Sequence, residues 1–405
     1  MRDTFWSGHN FVTVNGYDSG ISANQVKLGQ IAIPGSHDST TYTVGDLAPI
    51  CQSQNWIVEN FAGGMTERWS RTQHYDLYRQ ATLGVRSFDL RIYYDGSSIR
   101  TCHTLDAASL DEAIRGDGGL DRFAREEPLE PMILNLSHYK APDGEGETKW
   151  REGLDNLIGY LQANVCPRAV SPVRREKDRS TGREREIAVN PANLELKTIA
   201  EQQKNYVVLA DDENGLYRYL EGHGLKECVF HTNAFMTGGY AGIRDVRVGG
   251  ETVSTNLWLA LVRAYAHELR DPAVKAREAT QQVLIEAMEQ RSADKLHETT
   301  YVWAYDEKFD DGEFAAFLIK QKYGDSLIQM TEKGVVTWNS FFVNTGEVEV
   351  GLLEHGAGFI QRLDEAARNA NTNVNIVNMD AIGDTALTRD GFILPVLALN
   401  TRMVW

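Results

Sequence analysis

Short apolar runs alternate with longer segments of helical periodicity along most of the chain. Eight apolar runs predict strands: Gln30–Pro34, Ser87–Tyr93, Ile99–His103, Met132–Ser137, Tyr206–Ala210, Cys228–His231, Val335–Val343 and Val374–Met379. Phe314, Phe317 and Leu318 recur at i, i+3, i+4 spacing, which predicts a helix with one buried face. Strands that alternate with helices favour the α/β class with a parallel sheet, and eight strands are enough for a barrel.

Two segments interrupt this alternation. Helical character is clearest between Asn256 and Gln290, where Asp271-Pro272 offers an N-cap followed by proline at the first helical position. The surrounding stretch, about 237–301, is longer than one barrel helix requires and predicts an inserted helical region. Residues 167–190 hold the most polar run, whose alternating charges indicate an exposed excursion. We otherwise expect one domain over residues 1–405.

Composition narrows the possible partners. A length of 405 residues allows one large barrel or two domains, and the 42% hydrophobic content is ordinary for a soluble globular protein. The formal net charge of −16 argues against nucleic acid as a partner and against general adhesion to anionic membranes. The sequence contains no run of 18 apolar residues and therefore predicts no transmembrane helix. The first residues lack the pattern of a signal peptide, so the sequence leaves localisation open.

The four cysteines show no metal-ligand spacing. Cys102 stands beside His103 in a predicted strand, so the two side chains should face opposite sides of it. If His103 points into the barrel, Cys102 points toward the helices. We therefore expect Cys102 to be a buried structural thiol and not a nucleophile.

The first segment that could carry chemistry is Ile31–Thr40, in which a short strand runs into Pro-Gly and then presents His37 and Asp38. In parallel α/β barrels, catalytic groups gather at this end of the strands. Taken alone, the pattern is better explained by a structural histidine that caps the following loop.

The second segment places Asp89 and Arg91 on one face of a strand, opposite Phe88, Leu90 and Ile92. Charged groups are rarely buried without a partner, so an ion pair at the barrel mouth is expected. This pair could be purely structural. Three further segments add a strand histidine at His103, a polar strand with Asn135 and Ser137, and a late strand that ends on Asp380.

In this order, the segments resemble the catalytic X region of the phosphatidylinositol-specific phospholipase C (PI-PLC) superfamily. The motifs are Pro-Gly-Ser-His-Asp-Ser, Gly-Val-Arg-x-Phe-Asp-Leu-Arg, a strand histidine, Pro-x-Glu-Pro and the late Asp. Residues 28–139 carry nearly all of the likeness. The resemblance implies a distorted TIM-like (β/α) barrel. It also implies attack of the inositol 2-hydroxyl on its neighbouring phosphodiester, which releases diacylglycerol and inositol 1,2-cyclic phosphate.

The resemblance also distinguishes two branches of the superfamily. Calcium-dependent members hold the ion with acidic and amide ligands, whereas this chain has Asp38, Arg91 and Ser137 at three of those places. A guanidinium in the site opposes a hard cation and supplies fixed positive charge itself. The pattern is therefore similar to the bacterial calcium-independent type, and we expect no metal and no cofactor.

Carried over from the family, His37 is the general base and Asp380 orients it, although Asp384 lies close by. His103 is the general acid and pairs with Asp38, while Asp89 holds Arg91. Contacts with the substrate are expected from Asp89, Asn135, Ser137, His138 and Trp338. Thr104 replaces the glycine that usually follows the second histidine, and Asp211-Asp212 follow the fifth strand. The headgroup pocket has therefore changed, and strict phosphatidylinositol specificity is an open question.

We expect the protein to be a monomer that acts at a membrane or micelle surface containing phosphatidylinositol. The resemblance to the family also implies a secreted protein. Exposed aromatics in Leu47–Trp69 and Phe235–Tyr240 would suit insertion at a lipid interface, or they could pack beneath loops. The alternatives are a metal-dependent glycerophosphodiesterase, a non-catalytic phosphoinositide-binding module, and an effector or toxin that cleaves another phospholipid.

Overall fold

The fold is described from a computed structural model. The residues that it describes are 13–14, 17–18, 26–45, 48–51, 70–141, 146–178, 182–241, 244–255, 272–291, 294–301, 345–380, 382 and 388–400. Trp338, Asp384, the predicted strand Val335–Val343, the helical stripe Phe314–Leu318, the N-cap Asp271 and nearly all of Leu47–Trp69 lie outside these ranges.

The described strands are numbered in chain order: β1 Thr13–Val14, β2 Tyr17–Asp18, β3 Ile33–Ser36, β4 Ser87–Tyr94, β5 Ile99–His103, β6 Leu105–Ser109, β7 Met132–Lys140, β8 Val173–Lys177, β9 Glu184–Ala188, β10 Tyr206–Ala210, β11 Val229–His231, β12 Met236–Tyr240, β13 Asp245–Val248, β14 Glu251–Ser254, β15 Leu296–Tyr301 and β16 Ile376–Met379. The α-helices are α1 Leu77–Leu83, α2 Leu110–Arg115, α3 Leu120–Glu126, α4 Gly146–Asn164, α5 Leu196–Glu201, α6 Leu216–Gly222, α7 Thr232–Phe235, α8 Pro272–Glu289, α9 Thr345–Asn369 and α10 Leu394–Leu399. A π-helical turn, Arg389–Ile393, precedes α10.

Eight parallel strands form the central sheet in the order β11-β10-β7-β4-β3-β16-β15-β12. The first and last strands of this order are neighbours in the chain, and only α7 joins them. Among the described residues no ladder closes the gap between β11 and β12. The predicted distorted TIM-like α/β barrel is therefore confirmed, as a curled parallel sheet that is open at one seam.

Alternation along the strands separates two apolar layers. One cluster of buried residues on the inner side forms an apolar floor: Ile33, Ile133, Val207, Leu209, Phe230, Leu296 and Ile376. The intervening residues, such as Phe88, Leu90 and Leu134, pack outward against the helices. Successive strand residues face opposite sides, so Asp89 and Arg91 share the inner face of β4 above this floor.

A buried ion pair locks the opposite, amino-terminal end of the barrel. Arg86 precedes β4 and Glu130 lies two residues before β7, and both Nε and Nη2 of Arg86 are 2.9 Å from Glu130 Oε2. The side chains are 2% and 0% exposed. Arg86 Nη1 also donates to the carbonyls of Ala81 and Val85. The Gly-Val-Arg and Pro-x-Glu-Pro motifs thus contribute structure at this end and not chemistry.

The expectation of a free thiol at Cys102 is wrong, because Cys102 forms a disulfide with Cys51. The partner is 51 residues away in sequence, and a backbone pairing of Ile50 with Leu105 brings it beside β5. A second disulfide joins Cys166 and Cys228, and the described residues contain no free cysteine. Spacing in the sequence could not reveal these pairs because each depends on the folded barrel.

Two predictions about strands need correction. Ile99–His103 is a strand with the predicted bounds, but it pairs antiparallel with β4 and β6 and is not a barrel strand. The predicted helical insertion, about 237–301, begins and ends in barrel strands, β12 and β15, which sequence reasoning missed. Neither strand has an apolar sequence pattern, because β12 contains two consecutive glycines and the inner face of β15 is polar. Only α8 within this stretch is a long described helix, and it begins at Pro272.

The polar excursion contains an antiparallel hairpin of β8 and β9, apart from the barrel sheet and largely exposed. Its charges pair across and beyond the hairpin, for example Arg175 with Glu186 and Glu227. Within the described ranges, no helix has the length and apolar character needed to cross a bilayer.

The Arg86–Glu130 pair gives a stability prediction. Glu130→Gln should lower the free energy of unfolding by about 3 kcal/mol, because it leaves a buried guanidinium without its counter-charge. Urea denaturation measures the change. Glu289→Gln, at an exposed position on α8, should change stability by less than about 0.5 kcal/mol. Equal unfolding midpoints for Glu130→Gln and wild type would show that the pair contributes nothing.

Candidate active site

Six of the predicted side chains converge at the carboxyl-terminal rim of the barrel. They come from the end of β3, from β4, from the end of β5 and from the end of β16: His37, Asp38, Asp89, Arg91, His103 and Asp380. Because parallel strands all end at this rim, residues that are distant in sequence meet there. Trp338 lies outside the described residues, so its predicted contact stays a prediction.

The turn after β3 explains the Pro-Gly-Ser-His-Asp pattern. A Cβ on Gly35 would lie 1.7 Å from Oδ1 of Asn378 on β16, so only glycine allows this approach. Asp38 has a positive φ of 44°, and its backbone N–H donates to Asp89 Oδ2 at 3.3 Å. The turn therefore directs Asp38 inward, where its side chain is fully buried.

Asp38 is the electrostatic centre of the cluster. Its Oδ1 is 2.6 Å from Arg91 Nε, and its Oδ2 is 3.4 Å from His37 Nε2 and 3.3 Å from His103 Nε2. Burial alone would raise the pKa of Asp38. Arg91 and the two histidines outweigh this effect and lower the pKa to about 2. The carboxylate therefore stays ionised at any pH at which the protein would work.

His37 has a donor on one ring nitrogen and an acceptor on the other. Its Nε2 is 2.8 Å from Arg91 Nη2, and its Nδ1 is 3.0 Å from Asp380 Oδ1. A guanidinium can only donate, so Nε2 accepts and Nδ1 carries the hydrogen toward Asp380. This contact describes the neutral ring. Burial lowers the pKa of His37, but Asp38 and Asp380 together raise it to about 9, so the neutral ring is a strong base.

His103 has the opposite pattern of partners. Its Nδ1 is 3.1 Å from the carbonyl oxygen of Ser70, which can only accept, and its Nε2 faces the Asp38 carboxylate. Both ring nitrogens thus lie near acceptors. The centroids of the two histidine rings are 6.2 Å apart.

Gln73 joins the two strand ends that carry His37 and Asp380, and sequence reasoning missed it. Its Nε2 donates to the carbonyls of His37 at 2.7 Å and Met379 at 3.0 Å, while its Oε1 accepts from the backbone of Ile382. Gln73 is fully buried. A glutamine outside any periodic element gives no signal in a single sequence, so only the folded chain shows this role.

The predicted headgroup residues of β7 have different surroundings. Ser137 Oγ donates to Asp89 Oδ1 at 2.9 Å and so orients the carboxylate that lies 3.6 Å from Arg91. Asn135 is half-buried and accepts from Thr232 at 3.4 Å. His138 lies at the rim, where its backbone donates to Asp211 and its Nε2 is 3.4 Å from Glu213.

Asp211, Glu213 and Glu298 are acidic side chains that sequence reasoning did not assign to the site. Burial and the charge of nearby Glu213 raise the pKa of Asp211 to about 7, against the lowering effect of the hydrogen bonds that it accepts. Burial of His138 lowers its pKa, and the charge of Arg91 acts in the same direction. The side chains beyond Arg91 (Asp211, Glu213 and Glu298) thus form an acidic wall and not a basic one.

The cluster does not fit a divalent cation at the position where relatives of the calcium-dependent type would hold one. His37, Asp38 and Asp89 do present ligand atoms within 4.8 Å of one another. The guanidinium of Arg91, however, lies 2.6 Å from Asp38 and 3.6 Å from Asp89. A cation bound by these carboxylates would be repelled by a permanent positive charge and would compete with it for the same oxygens.

Comparison with known proteins gives partial sequence matches and whole-chain overlays. No family model matches the chain. A PI-PLC X-box domain-containing protein of Dictyostelium discoideum is 28% identical over 138 residues, which cover 34% of this chain and 18% of that protein. Mouse PI-PLC X domain-containing protein 3 is 26% identical over 157 residues (36% and 47%), and human PI-PLC X domain-containing protein 2 is 28% identical over 126 residues (30% and 41%).

The chain thus spans less than half the length of these curated relatives, all of which are eukaryotic. Among solved structures, PI-PLC from Listeria monocytogenes overlays with a TM-score of 0.46 at 13% identity, covering 94% of this chain and 96% of that chain. A double mutant of the Staphylococcus aureus enzyme gives 0.47 at 16%, covering 93% of each. At these scores the fold assignment rests on the strand order alone, and the bacterial calcium-independent type stays a prediction.

Thr104 gives a prediction about backbone strain. It has a φ of +64°, a left-handed conformation that costs a non-glycine residue roughly 1–2 kcal/mol and is unusual for a β-branched one. Thr104→Gly should therefore raise the free energy of unfolding by about 1 kcal/mol, after the greater freedom of glycine in the unfolded chain is subtracted. Thermal unfolding tests this. The control Thr82→Gly in α1 should lower stability, and a loss in both variants would contradict the idea.

The contact with Asp380 gives a prediction about proton affinity. Asp380→Asn removes one of the two carboxylates that raise the pKa of His37, so the pKa should fall by about one unit or more. Proton NMR of the His37 ring as a function of pH measures it without any substrate. Asp390→Asn, at an exposed position that pairs with Arg389, should leave it unchanged. An unaltered His37 titration in Asp380→Asn would show that Asp380 does not set its basicity.

Proposed function

We propose that this chain, about a third of which is similar to PI-PLC X domain-containing proteins, cleaves the phosphodiester of phosphatidylinositol or of its glycosylated anchors. The inositol 2-hydroxyl attacks the adjacent phosphorus, and the products are diacylglycerol and inositol 1,2-cyclic phosphate. The reaction is a phosphoryl transfer within the headgroup and needs no bound cofactor.

The observation that carries the proposal is the pair of histidines on either side of Asp38, with Arg91 beside one of them. His37 Nε2 lies 2.8 Å from Arg91 Nη2, whereas His103 has an acceptor near each of its ring nitrogens. Cyclisation with loss of an alcohol needs a base and an acid at once, since one oxygen must lose a proton and another must gain one. A module that only bound phosphoinositides would need neither.

The proton transfers follow from these positions. On binding, a phosphoryl oxygen replaces His37 as the acceptor for Arg91 Nη2, which frees His37 Nε2 for the inositol 2-hydroxyl. His37 takes the hydroxyl proton as the new oxygen–phosphorus bond forms. The bond from phosphorus to the glycerol oxygen breaks, and that oxygen receives the proton of His103 Nε2. Transfer of a proton from His37 to His103 through solvent then restores the starting state.

The remaining charges stabilise this sequence of states. Asp380 accepts from His37 Nδ1 and stabilises the imidazolium that forms there. Arg91 supplies positive charge and directed donors to the phosphoryl oxygens, in the role that calcium has in metal-dependent relatives. Asp38 and Asp89, both close to Arg91 Nε, hold the guanidinium in place.

The proposed partner is a membrane or micelle surface that contains phosphatidylinositol. Of the rim segments expected to touch lipid, the described part includes Ile50, which is 37% exposed, and Phe235. Phe235 packs against the apolar floor, with its ring 6.2 Å from that of Phe230, so the packing alternative holds for this residue. Ile50 lies beside the Cys51–Cys102 disulfide, next to His103, and remains a candidate for lipid contact.

Phosphorus NMR of the purified protein with phosphatidylinositol micelles and EDTA tests the proposal. A resonance of inositol 1,2-cyclic phosphate should appear, and His37→Ala and His103→Ala should each slow it by roughly 10²–10⁴-fold, because each removes one proton transfer. The exposed His223→Ala serves as the matched control and should keep the wild-type rate.

Three outcomes separate the alternatives. Product with calcium but not with EDTA would overturn the role of Arg91. Cleavage of other phosphodiester lipids, such as phosphatidylglycerol, but not of phosphatidylinositol would overturn the headgroup assignment while keeping the reaction class. Absence of any product with tight binding of phosphoinositide vesicles would favour a binding module.

A further inference from the structure

Glu298 lies on the inner face of the barrel, below the catalytic cluster, and the proposed reaction gives it no role. It is the third residue of β15, and β15 pairs with β16, which in turn pairs with β3. The register places Thr300 opposite Asn378 and Asn378 opposite Gly35. Because alternate residues share a face, Glu298 and Thr300 lie on the same side as Asn378 and Asp380.

Both hydrogen bonds of the Glu298 carboxylate fall on one oxygen. Oε1 accepts from Asn378 Nδ2 and from Thr300 Oγ1, the latter at 3.2 Å. Asn378 is buried and occupies the space that glycine at position 35 leaves open. The described contacts place no donor on Oε2, which leaves that oxygen for a ligand in the cavity.

The electrostatic surroundings set Glu298 apart from a structural carboxylate. The described salt bridges give it no cationic partner, whereas Asp38 and Asp89 both have Arg91. Burial and the charge of Asp89 raise the pKa of Glu298, His37 and Arg91 lower it, and the result is a pKa of about 7. It is thus coupled to the same groups that face the reacting phosphorus. Glu298 is half-buried, and a carboxylate partly removed from water without a counter-charge is costly unless something hydrogen-bonds to it.

We propose that Glu298 is a specificity-determining residue whose Oε2 accepts hydrogen bonds from hydroxyl groups of the substrate headgroup. The inference rests on the proposed function, because it supplies the polyol that Glu298 would hold. Hydrogen bonds from alcohols to an ionised carboxylate are charge-assisted and strong. A site built to hydrogen-bond a hydroxyl also discriminates strongly against ligands that lack it.

Binding of free myo-inositol tests the inference without chemistry. The wild type, Glu298→Gln, Glu298→Asp and the exposed control Glu289→Gln would be titrated with myo-inositol by NMR at pH 8, with thermal melts to verify folding. Glu298→Gln should weaken binding by about tenfold or more, since it exchanges an anionic acceptor for a neutral amide of the same shape. Glu298→Asp should lose less, because it keeps the charge on a shorter side chain.

The pH dependence of inositol binding is a further test, because a purely structural role of Glu298 would not affect it. The charged groups that act on Glu298 are Asp89 and Arg91 on β4 and His37 after β3. Deprotonated Glu298 accepts better, so inositol binding should strengthen as pH rises from 6 to 8, and Glu298→Gln should remove that rise. Asp211, whose pKa is also about 7, is tested separately with Asp211→Asn. If Asp211→Asn removes the rise and Glu298→Gln does not, the assignment is wrong.

Kinetics with phosphatidylinositol micelles distinguish this inference from the function on which it rests. Glu298→Gln should raise KM by about tenfold while kcat stays within about threefold of wild type, because headgroup binding changes and the proton transfers do not. Wild-type KM and wild-type inositol affinity in a folded Glu298→Gln protein would overturn the role of Glu298 and leave the reaction standing. If the wild type cleaves no phosphatidylinositol, the function and the role of Glu298 both fail.

Discussion

The buried contact between Asp38 and Arg91 is the constraint on which the rest of the site depends. A carboxylate with no exposed surface is costly unless opposite charge lies close to it, and the side chains that surround Asp38 come from three different strands. Arg91 lies on β4, His103 ends β5 and His37 follows β3. The turn that carries Asp38 accepts a left-handed backbone to reach this position. The strand ends are therefore held in one arrangement before any substrate arrives.

Strand β4 connects this cluster to the opposite end of the barrel. Arg86, just before the strand, is locked to Glu130, while Asp89 and Arg91 further along take part in the site. A register slip of one residue would turn Asp89 and Arg91 into the helical layer and Phe88 and Leu90 into the cavity. Ion pairs at both ends exclude that slip. One continuous motif thus serves stability at its start and chemistry at its end.

Partners, more than residue types, distinguish the two histidines of the candidate site. Both rings lie near the Asp38 carboxylate, but His37 also contacts Arg91 and Asp380, whereas His103 contacts the carbonyl of Ser70. The same reasoning applies to the carboxylates. Asp38 is ionised beside Arg91, while Glu298 and Asp211 have no such partner among the described ion pairs, and each has a pKa near 7. Position therefore assigns different roles to identical groups.

The sequence by itself determined the α/β class, the bounds of β5 and β10, the presence of His37, Asp38, His103 and Asp380 at strand ends, and the shared face of Asp89 and Arg91 within a strand. These follow from alternation and from short motifs, which are local. The disulfides, Gln73, Glu298 and the barrel strands β12 and β15 were decided only by the tertiary structure. Each depends on a neighbour that is remote in the chain or on a polar strand face, and neither leaves a periodic signal. Local motifs can be recognised in the sequence, whereas long-range contacts exist only once the strands have come together in the folded sheet.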